Sequence, residues 1–172
     1  MWGLFIILIL GFPLFFALKP SPPKLPSFGQ TPAFTLIDQM DRTVESKSLL
    51  GKPSVVNFIF TRCDNICPAL SQSMSSLQNE LISANVQMIT FTVDPEYDKP
   101  SVLKEYAERF GADHDKWLFL SGSEEGTKVI STGYQQAFNK NPEKDGTPDI
   151  THSQKMILVD AKGEIRGFFD DN

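Results

Sequence analysis

The sequence predicts an α/β fold, on three observations. An apolar run from Val55 to Phe60, rich in β-branched and aromatic residues, breaks into a polar loop and then a helical pattern. Strand-like and helix-like segments go on alternating as far as Phe138. The chain then closes on two apolar runs separated by Asp160–Gly163, which reads as a terminal hairpin.

Taken in order, Trp2 to Leu18 carries no charge and is almost wholly apolar. At ~1.5 Å rise per residue it is just long enough to cross a bilayer, so residues 1–18 read as a single N-terminal transmembrane anchor. A cleaved signal peptide fits less well, because a charged leading region and an A-x-A-like site are both missing. Lys19 and Lys24 lie after the span, a small bias against exporting the rest of the chain. Residues 19–32, KPSPPKLPSFGQTP, hold five prolines and predict a semi-rigid extended linker with no core of its own.

The domain takes up residues 33–172. Phe34–Ile37 and Thr43–Val44 flank a polar tip and predict an N-terminal hairpin. The strand at Val55–Phe60 comes after Gly51 and Pro53. After Cys63 and Cys67 comes Pro68, tolerated in the first turn of a helix, and Leu70, Met74, Leu77 and Leu81 recur at helical spacing. Val86–Val93 is a strand ending in Asp94-Pro95-Glu96. Lys99-Pro100-Ser101 opens a helix to Phe110, and Gly111 suits its C-cap. Trp117–Leu120 reads as a strand, Glu124–Phe138 as a helix and Asn139–Pro148 as a polar loop. Lys155–Val159 and Ile165–Phe169 form the closing hairpin.

Right-handed crossovers make the early strands parallel. If the strand at Lys155–Val159 runs antiparallel to them, its start lies where they end. Cys63, Cys67, Asp94 and His152 then converge on one edge of the sheet. This order predicts a thioredoxin-like fold.

Cys63 and Cys67 are the only cysteines. They lie between the end of a buried strand and a helix N-terminus, where α/β folds place their chemistry and where thiolate is favoured over thiol. Two thiolates and an imidazole make a soft site suited to copper or zinc. The same spacing is compatible with a disulfide after modest backbone adjustment. His152 alone reads more readily as a hydrogen-bonded surface histidine than as a ligand. His114, between two aspartates, reads as solvated, as does the Asp41–Arg42 hairpin tip. Asp94 reads as the cap of the turn just after it. The methionines form no copper-relay tract. The net charge of −5, with both signs interspersed and no basic block, excludes an electrostatic footprint for nucleic acid.

Three stretches, FTRCDNICP at 60–68, FTVDPEYDKP at 91–100 and ITHSQKMILVDAKGEIRGFF at 150–169, resemble the Sco/SenC family of copper-binding, thioredoxin-like proteins. The resemblance covers most of residues 33–169. It implies Cys63 and Cys67 as copper-binding thiols and His152 as the third ligand. It also implies delivery of copper to the CuA centre of cytochrome c oxidase, with the oxidase's copper-bearing subunit or another copper or thiol acceptor as partner. The domain would be membrane-anchored and extracytoplasmic, on the periplasmic side or in the intermembrane space. Some family members are instead thought to be thiol–disulfide oxidoreductases, in which Cys63 and Cys67 would be the redox pair. The chain departs from many relatives at Thr151, where they carry Asp, and it stops at Asn172, where relatives usually continue into a last helix. A peroxiredoxin-like peroxidase is disfavoured, because Val56 and Phe60 stand where its P-x-x-x-T/S pattern needs Pro and Thr or Ser.

Overall fold

The computed structural model describes residues 24–170 apart from 65, 145 and 146. Thr35–Asp38 (β1) and Thr43–Glu45 (β2) form the expected hairpin, with Leu36 opposite Val44. Ser54–Ile59 (β3), Gln87–Thr92 (β4) and Trp117–Ser121 (β5) are parallel neighbours. They are joined by helices Ile66–Ser83 (α1) and Pro100–Arg109 (α2). Helix Glu124–Gly133 (α3) comes after β5. Strands Phe138–Lys144 (β6) and Thr147–His152 (β7) come next, then Met156–Val159 (β8) and Ile165–Phe169 (β9). The main sheet runs β2-β1-β5-β4-β3-β8-β9, and β6 and β7 form a separate two-stranded sheet.

The alternation of side chains along a strand divides the core into two layers. Phe58 and Phe91 stack at 5.2 Å, and Tyr134, just past α3, closes on Phe91 at 5.3 Å. Phe34 meets Phe91 edge-on at 5.4 Å. The layer under α1 and α2 holds Trp117 and Phe119, with Tyr106 of α2 at 6.2 Å from Phe119. The Tyr106 hydroxyl pairs with Ser71 of α1 at 2.9 Å, which ties the two helices together. Each such large side chain, fully buried, contributes roughly 1.5–3 kcal/mol.

β8 is antiparallel to β3, with Ile157 opposite Val56 and Val159 opposite Ser54. The start of β8 therefore lies beside the C-terminal end of β3, which meets the condition on which the convergence of the site residues depended.

Three local expectations are corrected. Within the span read as a loop, residues 139–144 and 147–148 lie instead on strands β6 and β7, with Phe138 opposite His152 and Lys140 opposite Ile150. Helix α3 stops at Gly133, because Tyr134 is buried in the core and Gln135 takes a left-handed φ of 57°. The linker is docked where it meets the domain. Phe28 N–H donates to Ile165 O, Ile165 N–H to Gly29 O and Thr31 N–H to Gly163 O, each at 2.9 Å. The Phe28 ring meets Phe168 edge-on at 5.3 Å. Residues 1–18, read as an anchor, lie outside the described residues. Among the described residues no helix is long and apolar enough to cross a membrane.

Candidate metal centre

The cysteine loop is built by a turn and two carboxylates. Cys63 N–H donates to Phe60 O at 3.2 Å, closing a tight turn at the end of β3. Asp98 is fully buried and accepts from Thr61 N–H at 3.1 Å and from the hydroxyls of Thr61 and Thr92. Burial pushes its carboxyl up, against the pull of these donors. Asp94, also 0% exposed, takes two nitrogens of Arg62 on Oδ2, at 2.7 and 3.1 Å. The residues just before Cys63 are thus pinned from β4 and the turn after it.

Asp94 is not merely a turn cap. Its backbone carbonyl does close the turn, accepting from Tyr97 and Asp98 N–H, but its carboxylate is an ion-pair hub. On Oδ1 it receives Lys140 Nζ at 3.3 Å, and Lys140 also reaches Glu96 Oε2 at 3.2 Å. Burial draws the Lys140 ammonium down, and Glu96 and Asp94 more than offset this, holding it above its ordinary value. The Arg62 guanidinium lies over the Tyr97 ring, 4.5 Å from its centroid.

The two sulfurs are thiols, and they differ. Cys63 is half-buried and sits before α1, whereas Cys67 is 0% exposed. Cys67 belongs to the first turn of α1, which begins at Ile66, and not to the loop. Its backbone N–H donates to Cys63 Sγ at 3.4 Å, the arrangement by which helix N-termini hold negative charge. At Cys67 itself burial wins. Desolvation pushes the thiol up despite a backbone hydrogen bond to Phe60 that pulls it down. The expectation that the helix terminus favours thiolate therefore fails for Cys67.

His152 ends β7, opposite Phe138 and four residues before β8 begins beside β3. The backbone thus delivers it to the end of the sheet that bears the cysteines, while its side chain lies outside the described part. Among the described residues no cluster of three His, Cys, Asp or Glu side chains is arranged to hold a metal. His114 is half-buried, with Nδ1 at 3.3 Å from Gln39 Nε2. Arg42 spans Asp38 and Asp115, at 2.7 Å each, and so locks the hairpin tip to the loop before β5.

Sequence reasoning did not single out Arg62, Asp98 or Lys140. The available signal was two acids four residues apart after an apolar strand, facing a lone arginine in the cysteine loop.

The SCO1/SenC family model matches residues 25–172. The SCO1 protein homolog of Bacillus subtilis is 36% identical over 135 residues, spanning 77% of this chain and 69% of its own length. Arabidopsis thaliana ScoI, solved with copper bound, superposes with a TM-score of 0.73 at 28% identity, over 84% of this chain and 89% of that one. BsSco, in which a disulfide switch has been identified and which is a member of the Sco family of cytochrome c oxidase assembly proteins, superposes with a TM-score of 0.73 at 29% identity, over 88% of each chain. The match takes in the thioredoxin-like domain together with its cysteine loop and the strand that ends in His152. The chain belongs to the SCO1/SenC family.

Proposed function

We propose that this protein is a copper chaperone that carries the ion on Cys63, Cys67 and His152 and hands it on during assembly of the CuA centre of cytochrome c oxidase. One observation carries the reading. Cys67 N–H donates to Cys63 Sγ at 3.4 Å and the two thiols interact through their side chains, so both sulfurs lie together at the start of α1. The donor set suits copper, because thiolate and imidazole are soft and borderline ligands. Few ligands and a half-buried Cys63 suit transfer, since an acceptor thiol can reach the ion. Copper here is cargo. Residues 1–18 anchor the chain, 19–32 link it and 33–172 form the copper-binding domain, on the extracytoplasmic side of the membrane.

The test is titration of the reduced full chain with Cu(I) against a competing chelator. One ion should bind, oxidation of the thiols should abolish uptake, and His152→Ala should weaken it by several kcal/mol. Equal stoichiometry in the oxidised and reduced states overturns the two-thiolate site.

A second reading, a thiol–disulfide oxidoreductase acting on the acceptor's cysteines, draws on the unequal burial of the thiols. The accessible Cys63 would attack and Cys67 would resolve the mixed disulfide. Unchanged copper binding in His152→Ala, with lost reduction of a model disulfide, would put this reading first.

A further inference from the structure

The cysteine loop and the hairpin that ends in His152 meet at one buried carboxylate. Arg62, directly before Cys63, is held on Asp94 Oδ2 at 2.7 Å, and Lys140 of β6 is held on Oδ1 at 3.3 Å. Lys140 stands opposite Ile150, which is two residues from His152 on β7 and packs against the core. Among the described residues the hairpin shares no ladder with the main sheet, so its short connections to α3 and β8 and its side-chain contacts set its position on the domain. The Lys140–Asp94 pair is partly shielded from water, Lys140 being 21% and Asp94 1% exposed at the side chain. A pair so placed is screened less than a surface bridge.

We propose that the Arg62–Asp94–Lys140 ion triad is a latch that holds the β6–β7 hairpin against the cysteine loop, and that Lys140 is a positioning residue for the metal site. The proposal rests on the reading of Cys63, Cys67 and His152 as copper ligands. Lys140 is not itself one of the proposed ligands. It acts by fixing the strand that presents one of them. The triad is also suited to release. Losing Lys140 leaves Asp94 still neutralised by Arg62, so the domain keeps its fold while the hairpin loosens. Losing Asp94 would instead leave two cations facing each other, a harsher change and a poorer test.

The experiment uses the full chain in detergent micelles, as wild type, Lys140→Gln, Lys140→Arg and His152→Ala. Amide hydrogen exchange across residues 138–152 is measured without metal, and the Cu(II) dissociation constant and thiolate charge-transfer band with it. In Lys140→Gln the hairpin amides should exchange at least about tenfold faster. Copper should bind about tenfold more weakly, with the band regained at saturation. Lys140→Arg should restore both. Unchanged hairpin exchange in Lys140→Gln overturns the latch. Faster exchange with unchanged copper affinity overturns the positioning role, as does failure of arginine to rescue. Wild-type copper affinity in His152→Ala overturns the ligand reading itself, whatever the exchange data show.

Discussion

At the scale of single residues, the unequal burial of the two thiols governs the chemistry open to this site. In the folded, reduced, metal-free protein, iodoacetamide should modify Cys63 at least about tenfold faster than Cys67, because only the former is accessible and only thiolate reacts. Peptide mass spectrometry against time reads both rates, and a urea-unfolded control should bring them together. Equal rates in the folded state would refute the asymmetry. Burial also sets a pH dependence. Cys67 is raised by desolvation in the fold, so its contribution is complete below the unfolded thiol value, about 8.5, and is lost as pH rises beyond it. Tyr106 and Tyr134 are raised for the same reason, and their window opens only near pH 10. The melting temperature of the metal-free protein should therefore fall between about pH 8.5 and 10, and Cys67→Ser should flatten that interval. A wild-type slope retained in the serine variant would assign the loss to another group.

At the scale of elements, the features legible in advance were those written locally. Helix α2 carries its own punctuation, with Pro100 at its first position and Gly111 just past its C-cap at φ +62°. A Cβ at Gly111 would meet nothing within 4 Å, so Gly111→Ala costs only the left-handed conformation, about 1 kcal/mol, read as a lower urea midpoint with unchanged slope. A loss above about 3 kcal/mol would show a packing role that the structure lacks. The β6–β7 hairpin is the opposite case. Its strands contain Asn139, Lys140, Asn141, Pro142 and Glu143 on one side and Pro148 and Asp149 on the other, with no apolar alternation to mark them. Pairing there comes from backbone register and from tethers such as Lys140 to Asp94, which join residues 46 apart in sequence. The same holds within the site. Cys63, Cys67 and His152 were legible as residue types and by topology. That Asp94 and Asp98 pin the cysteine loop was not, because a buried carboxylate is identified by its partners and not by its neighbours in sequence.

At the scale of the whole molecule, the parallel strands and the antiparallel β8 bring Cys63, Asp94 and the end of β7 to one edge, which crossover handedness together with an antiparallel closing strand foretold. The linker was the surprise. Proline content predicted an extended spacer with no core of its own, yet residues 28–31 extend the sheet past β9 as a short added edge. Pro32 also lies against Gly133, at the end of α3. The domain's working boundary is set by the contacts each truncation removes. A chain starting at Ser27 loses the Arg166 contacts to the carbonyls of Leu25 and Pro26, both 3.2 Å, while Arg166 keeps Asp160 at 2.8 Å and Glu164 at 2.7 Å. That loss is exposed and should cost no more than about 1 kcal/mol. A chain starting at Ala33 loses the three backbone hydrogen bonds, at about 1 kcal/mol each, and the Phe28–Phe168 pair, at about 0.5–1.5 kcal/mol beyond its area. It also bares the outer edge of β9, an invitation to edge-to-edge association. The first chain should melt within about 3 °C of one starting at Lys24. The second should melt at least about 8 °C lower and self-associate in light scattering, since each kcal/mol moves the midpoint of a domain this size by about 2–4 °C or somewhat more. Indistinguishable melting of the two chains would mean that the docked linker adds nothing to the fold.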